Sequence, residues 1–154
     1  MDLPRRKSNR LNGYDYSLCG AYFVTICVAN KEAVLWESVG ANCVRPRDRL
    51  SDFGKIIDDE IQKLNSIYDN VALGEYCIMP DHIHLIVFIS DDESGRPQVA
   101  PTLSRIVKQF KGSVTKKLGF CIWQKSFYDN IIRNEKGYRE VVEYIRKNPQ
   151  KCDN

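Results

Sequence analysis

The only two histidines of this 154-residue chain, His82 and His84, flank a single isoleucine within EYCIMPDHIHLIVFI, Glu75 to Ile89. In an extended strand successive side chains point to opposite faces, so both imidazoles project from one face, one pleat apart. Neutral imidazoles are available as nitrogen ligands without losing a proton first, and a pair at this spacing can chelate a divalent cation. Sixty residues later, VVEYIRKNP carries Tyr144, and Asn148 stands four positions beyond it, one helical turn along the same side. A phenolic oxygen can attack a phosphodiester when a divalent cation polarises the phosphate, and it then holds the cleaved strand as a covalent ester. Two imidazoles and one amide oxygen would leave that cation open positions for phosphate oxygens. Either feature alone has an ordinary explanation, a hydrogen-bonded core histidine or an amphipathic tyrosine at the core edge; the chemistry rests on their combination.

The partner expected for such chemistry is a polyanion, and the charge distribution agrees. The net charge is only +3, yet Ser94 to Tyr128 contains no acid while Arg96, Arg105, Lys108, Lys111, Lys116, Lys117 and Lys125 lie within it. The first ten residues add Arg5, Arg6, Lys7 and Arg10 against Asp2. Two basic blocks in a nearly neutral chain point to nucleic acid. The length fits one domain, residues 1–154, with an ordinary core. No apolar run approaches the ~20 residues that span a bilayer, and the basic N-terminus has no apolar segment behind it, so the expected location is the cytoplasm. The six cysteines form no CxxC pair and read as reduced thiols, with Cys27 and Cys77 inside apolar strand patterns.

The elements that must position these residues follow from periodicity. Residues 1–19 read as a basic arm and Gly20 to Val28 as a first strand. Val34 to Trp36 is a candidate short strand in an otherwise irregular stretch. Ser51 caps a helix extending toward Asn70, with Phe53, Ile57, Ile61, Leu64 and Tyr68 inward and Asp58, Asp59, Glu60 and Lys63 mostly outward. Val71 to Met79 and His82 to Ile89 form a hairpin across Met79-Pro80-Asp81-His82, where proline fixes φ at the first turn position. The second of these strands is apolar on both faces beyond the histidines, as a central strand should be. Residues 90–101 read as a flexible loop. Thr102 caps a helix with the stripe Leu103, Ile106, Val107, Phe110, Val114 and Leu118 and a basic outer face. Cys121 to Arg133 supplies a fourth strand, and Asn134 caps a last helix, Glu135 to Lys147, that Pro149 should stop. The order is βαββαβ, an α+β ferredoxin-like antiparallel sheet with helices on one face and an extra C-terminal helix carrying the tyrosine. On that helix Tyr138, Val141, Val142 and Ile145 form the buried stripe, and Tyr144 flanks it.

MPDHIHLIVFI resembles the histidine-hydrophobic-histidine (HUH) motif of single-tyrosine transposases, and VVEYIRKNP resembles their tyrosine helix. SRIVKQFKGSVTKKL, IWQKSFYDNIIRNEKGYREVVEYIRKNP and YDYSLCGAYFVTICV are similar to the corresponding segments of the REP-associated tyrosine transposases. The resemblance runs from about Arg6 to Pro149, nearly the whole chain in order. It implies an enzyme that binds single-stranded DNA, usually as folded hairpins, and cuts and rejoins it with Mg²⁺ or Mn²⁺. By position it makes His82 and His84 metal ligands, Asn148 a third ligand, and Tyr144 the nucleophile that becomes a 5′-phosphotyrosine. Asp81 stands where the family often has asparagine. Tyr144 acts in its own subunit or in that of a homodimer partner, since family members differ in this.

Arg105, Lys108 and Lys111 on the basic helix, with Arg5, Arg6 and Arg10 on the arm, are the expected phosphate contacts. Trp123 and Tyr128 are aromatic candidates for core packing first and base stacking second, and Glu75 is a candidate acid near the metal. Two other function classes compete. One is a non-catalytic single-stranded nucleic-acid-binding module of the same fold, the other a metal-dependent hydrolase without a covalent intermediate.

Overall fold

The computed structural model describes residues 20–37, 50–90 and 103–151, with side chains as far as residue 148. Four strands, β1 (Gly20–Cys27), β2 (Val71–Ile78), β3 (His82–Ile89) and β4 (Tyr128–Ile132), alternate with α1 (Asp52–Ile67) and α2 (Leu103–Leu118), and α3 (Glu135–Lys151) follows. The sheet order is β2-β3-β1-β4, and each neighbouring pair is antiparallel. β1 and β2 are therefore parallel with β3 between them, and β3 and β4 are parallel with β1 between them. Two split βαβ crossovers interleave, as the ferredoxin-like reading of the sequence expects.

The alternation of β1 assigns the two faces. Tyr22, Val24 and Ile26 are fully buried and join Ile83, Leu85, Val87 and Ile89 of β3 beneath α1 and α2. The helices meet this face through Ile57, Ile61 and Leu64 of α1 and Leu103, Ile106, Val107, Phe110 and Val114 of α2. The opposite face carries Phe23, Cys77, Ile86 and Phe88, covered by Ile145 and by Tyr138, Val141 and Val142 of α3. So α1 and α2 share one layer and α3 occupies the other.

Several boundaries differ from the sequence reading. Val34 to Trp36 forms no strand; Trp36 makes a single bridge to Leu50. β4 is confined to Tyr128–Ile132 because residues before it leave the sheet: Trp123 bridges to Val28, and Ser126 has φ 72°. α3 continues through Pro149 to Lys151. A proline lacks only its own N–H, so in a last turn it removes one bond while later amides can still bond backward. Glu60, expected outside, is 5 % exposed and sits between α1 and α2, bonded to Lys117 at 2.5 Å and Lys63 at 3.0 Å. Burial pushes its carboxyl up, and the two ammonium hydrogen bonds outweigh this and hold it below its ordinary value. Residues 1–19, most of the 90–101 loop and the Thr102 cap lie outside the described residues.

One irregularity bears directly on the site. Between Leu73 and Tyr76, two residues of β2, Gly74 and Glu75, stand opposite Ile86 alone, which is a β-bulge. A side chain at Gly74 would place its Cβ 2.8 Å from Phe88 Cε2 and 3.0 Å from Ile86 Cβ, so the close approach requires glycine. Beyond the bulge the register resumes with Cys77 beside His84 and Ile78 beside Ile83.

Candidate active site

The turn that delivers the histidines is pinned from three sides. Val28 N–H donates to the Asp81 carbonyl at 2.9 Å, Leu35 N–H to the Pro80 carbonyl at 3.0 Å, and Met79 N–H to the His82 carbonyl at 2.8 Å. Trp36 Nε1 adds a bond to the Ile78 carbonyl at 2.7 Å. Every one of these partners lies on another segment or on the far side of the turn, so the start of β3 is held as part of the fold.

The two imidazoles converge. Their Nε2 atoms are 3.1 Å apart and the ring centroids 4.6 Å apart, edge to face. Each Nδ1 is occupied: Asp81 Oδ1 lies 2.5 Å from His82 Nδ1, and Thr25 Oγ1 lies 2.8 Å from His84 Nδ1. An ionised carboxylate only accepts, so it fixes the proton on His82 Nδ1 and leaves the Nε2 lone pair toward His84. His84 is 5 % exposed, and burial, assisted by the charge of His82, pushes its pKa down to about 4. It is therefore a neutral imidazole at physiological pH.

This geometry fits a divalent cation. Two nitrogens each ~2.1 Å from one ion, at roughly a right angle, stand ~3 Å apart. Among the described residues no cluster of three or more His, Cys, Asp or Glu side chains could hold a metal. Asn148 is half-buried on α3, and its Nδ2 is buried without a hydrogen-bond partner. An amide nitrogen donates and does not ligate, so the metal-binding reading rests on the two converged imidazoles.

Tyr144 is brought to the same place. Its ring lies edge-on to His84 with centroids 5.4 Å apart and edge-on to Phe23 at 6.0 Å, while Phe23 stacks on His84 at 5.2 Å. The tyrosine remains 44 % exposed, whereas Ile145 beside it is 1 % exposed and anchors the helix. Arg146 of α3 pairs with Glu75 in the bulge at 3.0 Å. Glu75, a candidate acid near the metal, thus serves to tie β2 to the tyrosine helix.

The basic candidates distribute differently. Arg105 and Lys108 are exposed on α2, which lies on the sheet face opposite Tyr144. Lys111 is half-buried, and its Nζ donates to the carbonyls of Gln124 at 3.0 Å and Ser126 at 2.5 Å. Burial pushes its ammonium below its ordinary pKa. Arg5, Arg6 and Arg10 lie outside the described residues. Trp123 is core, 6 % exposed against Phe110, whereas Tyr128 is 45 % exposed. Sequence reasoning missed Thr25 and the role of Asp81 toward His82. The only sequence signal for Thr25 was a hydroxyl inside an apolar strand, and its partner is set by strand register.

A pH prediction follows from His84. An unfolded imidazole titrates near 6.5 and the folded one near 4, so between these values the unfolded chain takes up a proton that the folded chain refuses. Stability present above pH 6.5 is therefore lost as pH falls toward 4, by up to about 3 kcal/mol from this group. Urea unfolding with chelator present, at pH 7.5 and 4.5, should show this loss in the wild type and a smaller one in His84→Gln. An equal loss in both proteins would remove His84 as its source.

No family model matches the chain. Among curated relatives, an uncharacterised protein of Haemophilus influenzae is 32 % identical over 166 residues, covering 96 % of this chain and 89 % of that protein. A second protein of the same organism, assigned to the REP-associated tyrosine transposases, is 29 % identical over 147 residues, covering 89 % of this chain and 74 % of its own length. The REP-associated tyrosine transposase of Escherichia coli is 33 % identical over 79 residues, which span 51 % of this chain and 44 % of that enzyme. Among solved structures, a REP-associated tyrosine transposase bound to a REP hairpin superposes with a TM-score of 0.66 at 24 % identity, over 93 % of this chain and 74 % of its own, and so shares the fold. No helix among the described residues is long and apolar enough to cross a membrane. With relatives of that kind along most of its length, the same sheet, and a tyrosine packed beside the histidine pair on one sheet face, the chain belongs to the HUH tyrosine transposase family.

Proposed function

We propose that this protein binds single-stranded DNA folded into hairpins and cleaves and rejoins it through a covalent 5′-phosphotyrosine at Tyr144. The observation that carries the proposal is the placement of the Tyr144 ring 5.4 Å from His84, beside two Nε2 atoms that converge to 3.1 Å. The hairpin substrate rests on the REP hairpin bound by the structural relative and on the basic excess in this sequence.

The phenolic oxygen of Tyr144 attacks phosphorus, the bond from phosphorus to the 3′ oxygen breaks, and the phenol's proton passes to solvent as the leaving oxygen takes one up. One product ends in a 3′ hydroxyl and the other is joined to Tyr144 by its 5′ phosphate. Rejoining runs in reverse, with a 3′ hydroxyl attacking the phosphotyrosine. His82, His84 and Asn148 would hold the Mg²⁺ or Mn²⁺ ion, which supplies polarisation of the scissile phosphate. Asp81 and Thr25 keep both imidazoles turned with Nε2 inward. Phe23 packs beneath both His84 and Tyr144 and sets their separation. The reaction uses Tyr144 on the histidines of its own chain, so a homodimer would carry two complete sites.

The test is incubation with hairpin-bearing single strands, including a REP hairpin, and Mg²⁺ or Mn²⁺, followed by denaturing electrophoresis. A label at the 3′ end should migrate with the protein and a label at the 5′ end as a shortened free strand. Shortened strands with no protein-linked label would make the protein a hydrolase, and binding without cleavage a binding module.

A further inference from the structure

α3 covers only part of the sheet face that carries the histidines. α3 leaves β4 at Ile132, crosses β3 where Tyr138 meets Phe88 at 5.9 Å, and reaches β2, where Ile145 packs with Cys77 and Met79 and Arg146 pairs with Glu75. A helix on that diagonal covers the corner of the face near β2 at the histidine end. The opposite corner, formed by the ends of β1 and β4 at the same level, receives no helix among the described residues.

Strand register says what stands there. His84 pairs with Cys77 on one side and Thr25 on the other, and Thr25 pairs with Tyr128. Directly paired residues of antiparallel strands share a face, so Cys77, His84, Thr25 and Tyr128 form one row across the sheet. Cys77 lies under α3, whereas Tyr128 at the other end of the row is 45 % exposed. Two strand spacings place it roughly 10 Å from His84. Of the large apolar or aromatic side chains that remain exposed, Tyr128 and Tyr144 are the two that flank the histidine pair on this face.

The ring is also presented by a fixed backbone. Phe127, the preceding residue, is 8 % exposed and sits in the core on the other face, which holds Tyr128 outward. The approach to β4 is clamped by the Lys111 ammonium on the carbonyls of Gln124 and Ser126. A large aromatic on an edge strand, held outward and 45 % exposed, is a surface for another planar group.

Resting on the DNA reading given above, we infer that Tyr128 is a stacking platform for one unpaired base of the strand whose phosphate lies at His82 and His84. A single strand held at that phosphate has two directions in which to leave the site. One is blocked by α3; the other passes over Thr25 and Tyr128, continuous with the site. Base-aromatic stacking is indifferent to base identity, so Tyr128 would position the strand for Tyr144 and leave sequence reading to other contacts.

The experiment compares wild type with Tyr128→Val, which keeps a strand-favouring side chain, and Tyr128→Phe, which keeps the ring. The substrates are hairpins whose single-stranded flank carries 2-aminopurine at successive positions. Binding by Tyr128→Val should weaken roughly 5- to 100-fold, and Tyr128→Phe should bind as wild type. One flank position should show 2-aminopurine quenching in wild type and Tyr128→Phe and lose it in Tyr128→Val. Thermal melts of all three proteins should coincide, because the side chain is exposed. Equal binding by wild type and Tyr128→Val, or equal weakening in both variants, overturns the inference while leaving the DNA reading intact. A wild type that binds none of the hairpins overturns both.

Discussion

Replacing Tyr144 by phenylalanine should abolish the proposed covalent protein–DNA adduct and slow strand cleavage at least about 1,000-fold, while hairpin affinity should change no more than about 3-fold. The change removes one oxygen and leaves the ring. Contacts with His84 and Phe23 are made by ring atoms, with centroids at 5.4 and 6.0 Å, and Ile145 continues to anchor the helix. These ring contacts and the Ile145 anchor survive the change, so the expected loss falls on the chemical step. Time courses with 3′-labelled hairpins, read on denaturing gels beside a filter-binding titration, separate the two effects. An adduct that persists in Tyr144→Phe would assign the nucleophile elsewhere, and a parallel collapse of affinity would make Tyr144 a binding residue.

Replacing His84 by alanine should weaken the proposed Mn²⁺ binding at least about 100-fold and remove cleavage with it. The magnitude follows from position: His84 is the buried member of the pair, and its Nε2 is one of two that converge to 3.1 Å. Deleting it takes away half of the imidazole donor set and also leaves the Thr25 hydroxyl without its 2.8 Å partner. The structural cost is separate, about 1–3 kcal/mol for the cavity and the orphaned hydroxyl. Titration calorimetry with Mn²⁺ reads the first effect and urea unfolding in chelator reads the second. Unchanged Mn²⁺ affinity in a folded His84→Ala protein would show that the histidine pair holds no metal.

Much of the arrangement was legible because it is internal to single elements. The period of two in HIHLIVFI puts both histidines on one face, and Pro80-Asp81 places them at the start of a strand. The helical period puts Ile145 inward with Tyr144 on its flank and Asn148 one turn on. The apolar stripes of α1 and α2 read correctly for the same reason, and the βαββαβ order followed from the sequence of periods.

What the sequence could not supply was every relation between elements. The basic residues of α2 are periodic on their own helix, but the crossover from β3 puts that helix on the sheet face away from Tyr144. Lys111 reads as one more exposed cation, yet the chain from residues 124 to 126 passes close enough to capture its ammonium. Glu60 falls on the polar side of α1 in isolation and becomes buried once α2 brings Lys117 against it. Pro149 signals a stop that a last turn can absorb. The bulge at Gly74 and Glu75 resets β2 by one residue and so decides that Cys77, and not its neighbour, stands beside His84. The sequence by itself determined the HUH strand, the tyrosine helix and the residues each must present, because side-chain direction within a strand or helix repeats with a fixed local period. Only the tertiary structure decided that Thr25 bonds to His84, that α3 lies across the histidine face and does not reach Tyr128, and that Tyr144 meets its own chain's histidines, because register and layer are set by pairing between segments far apart in the chain.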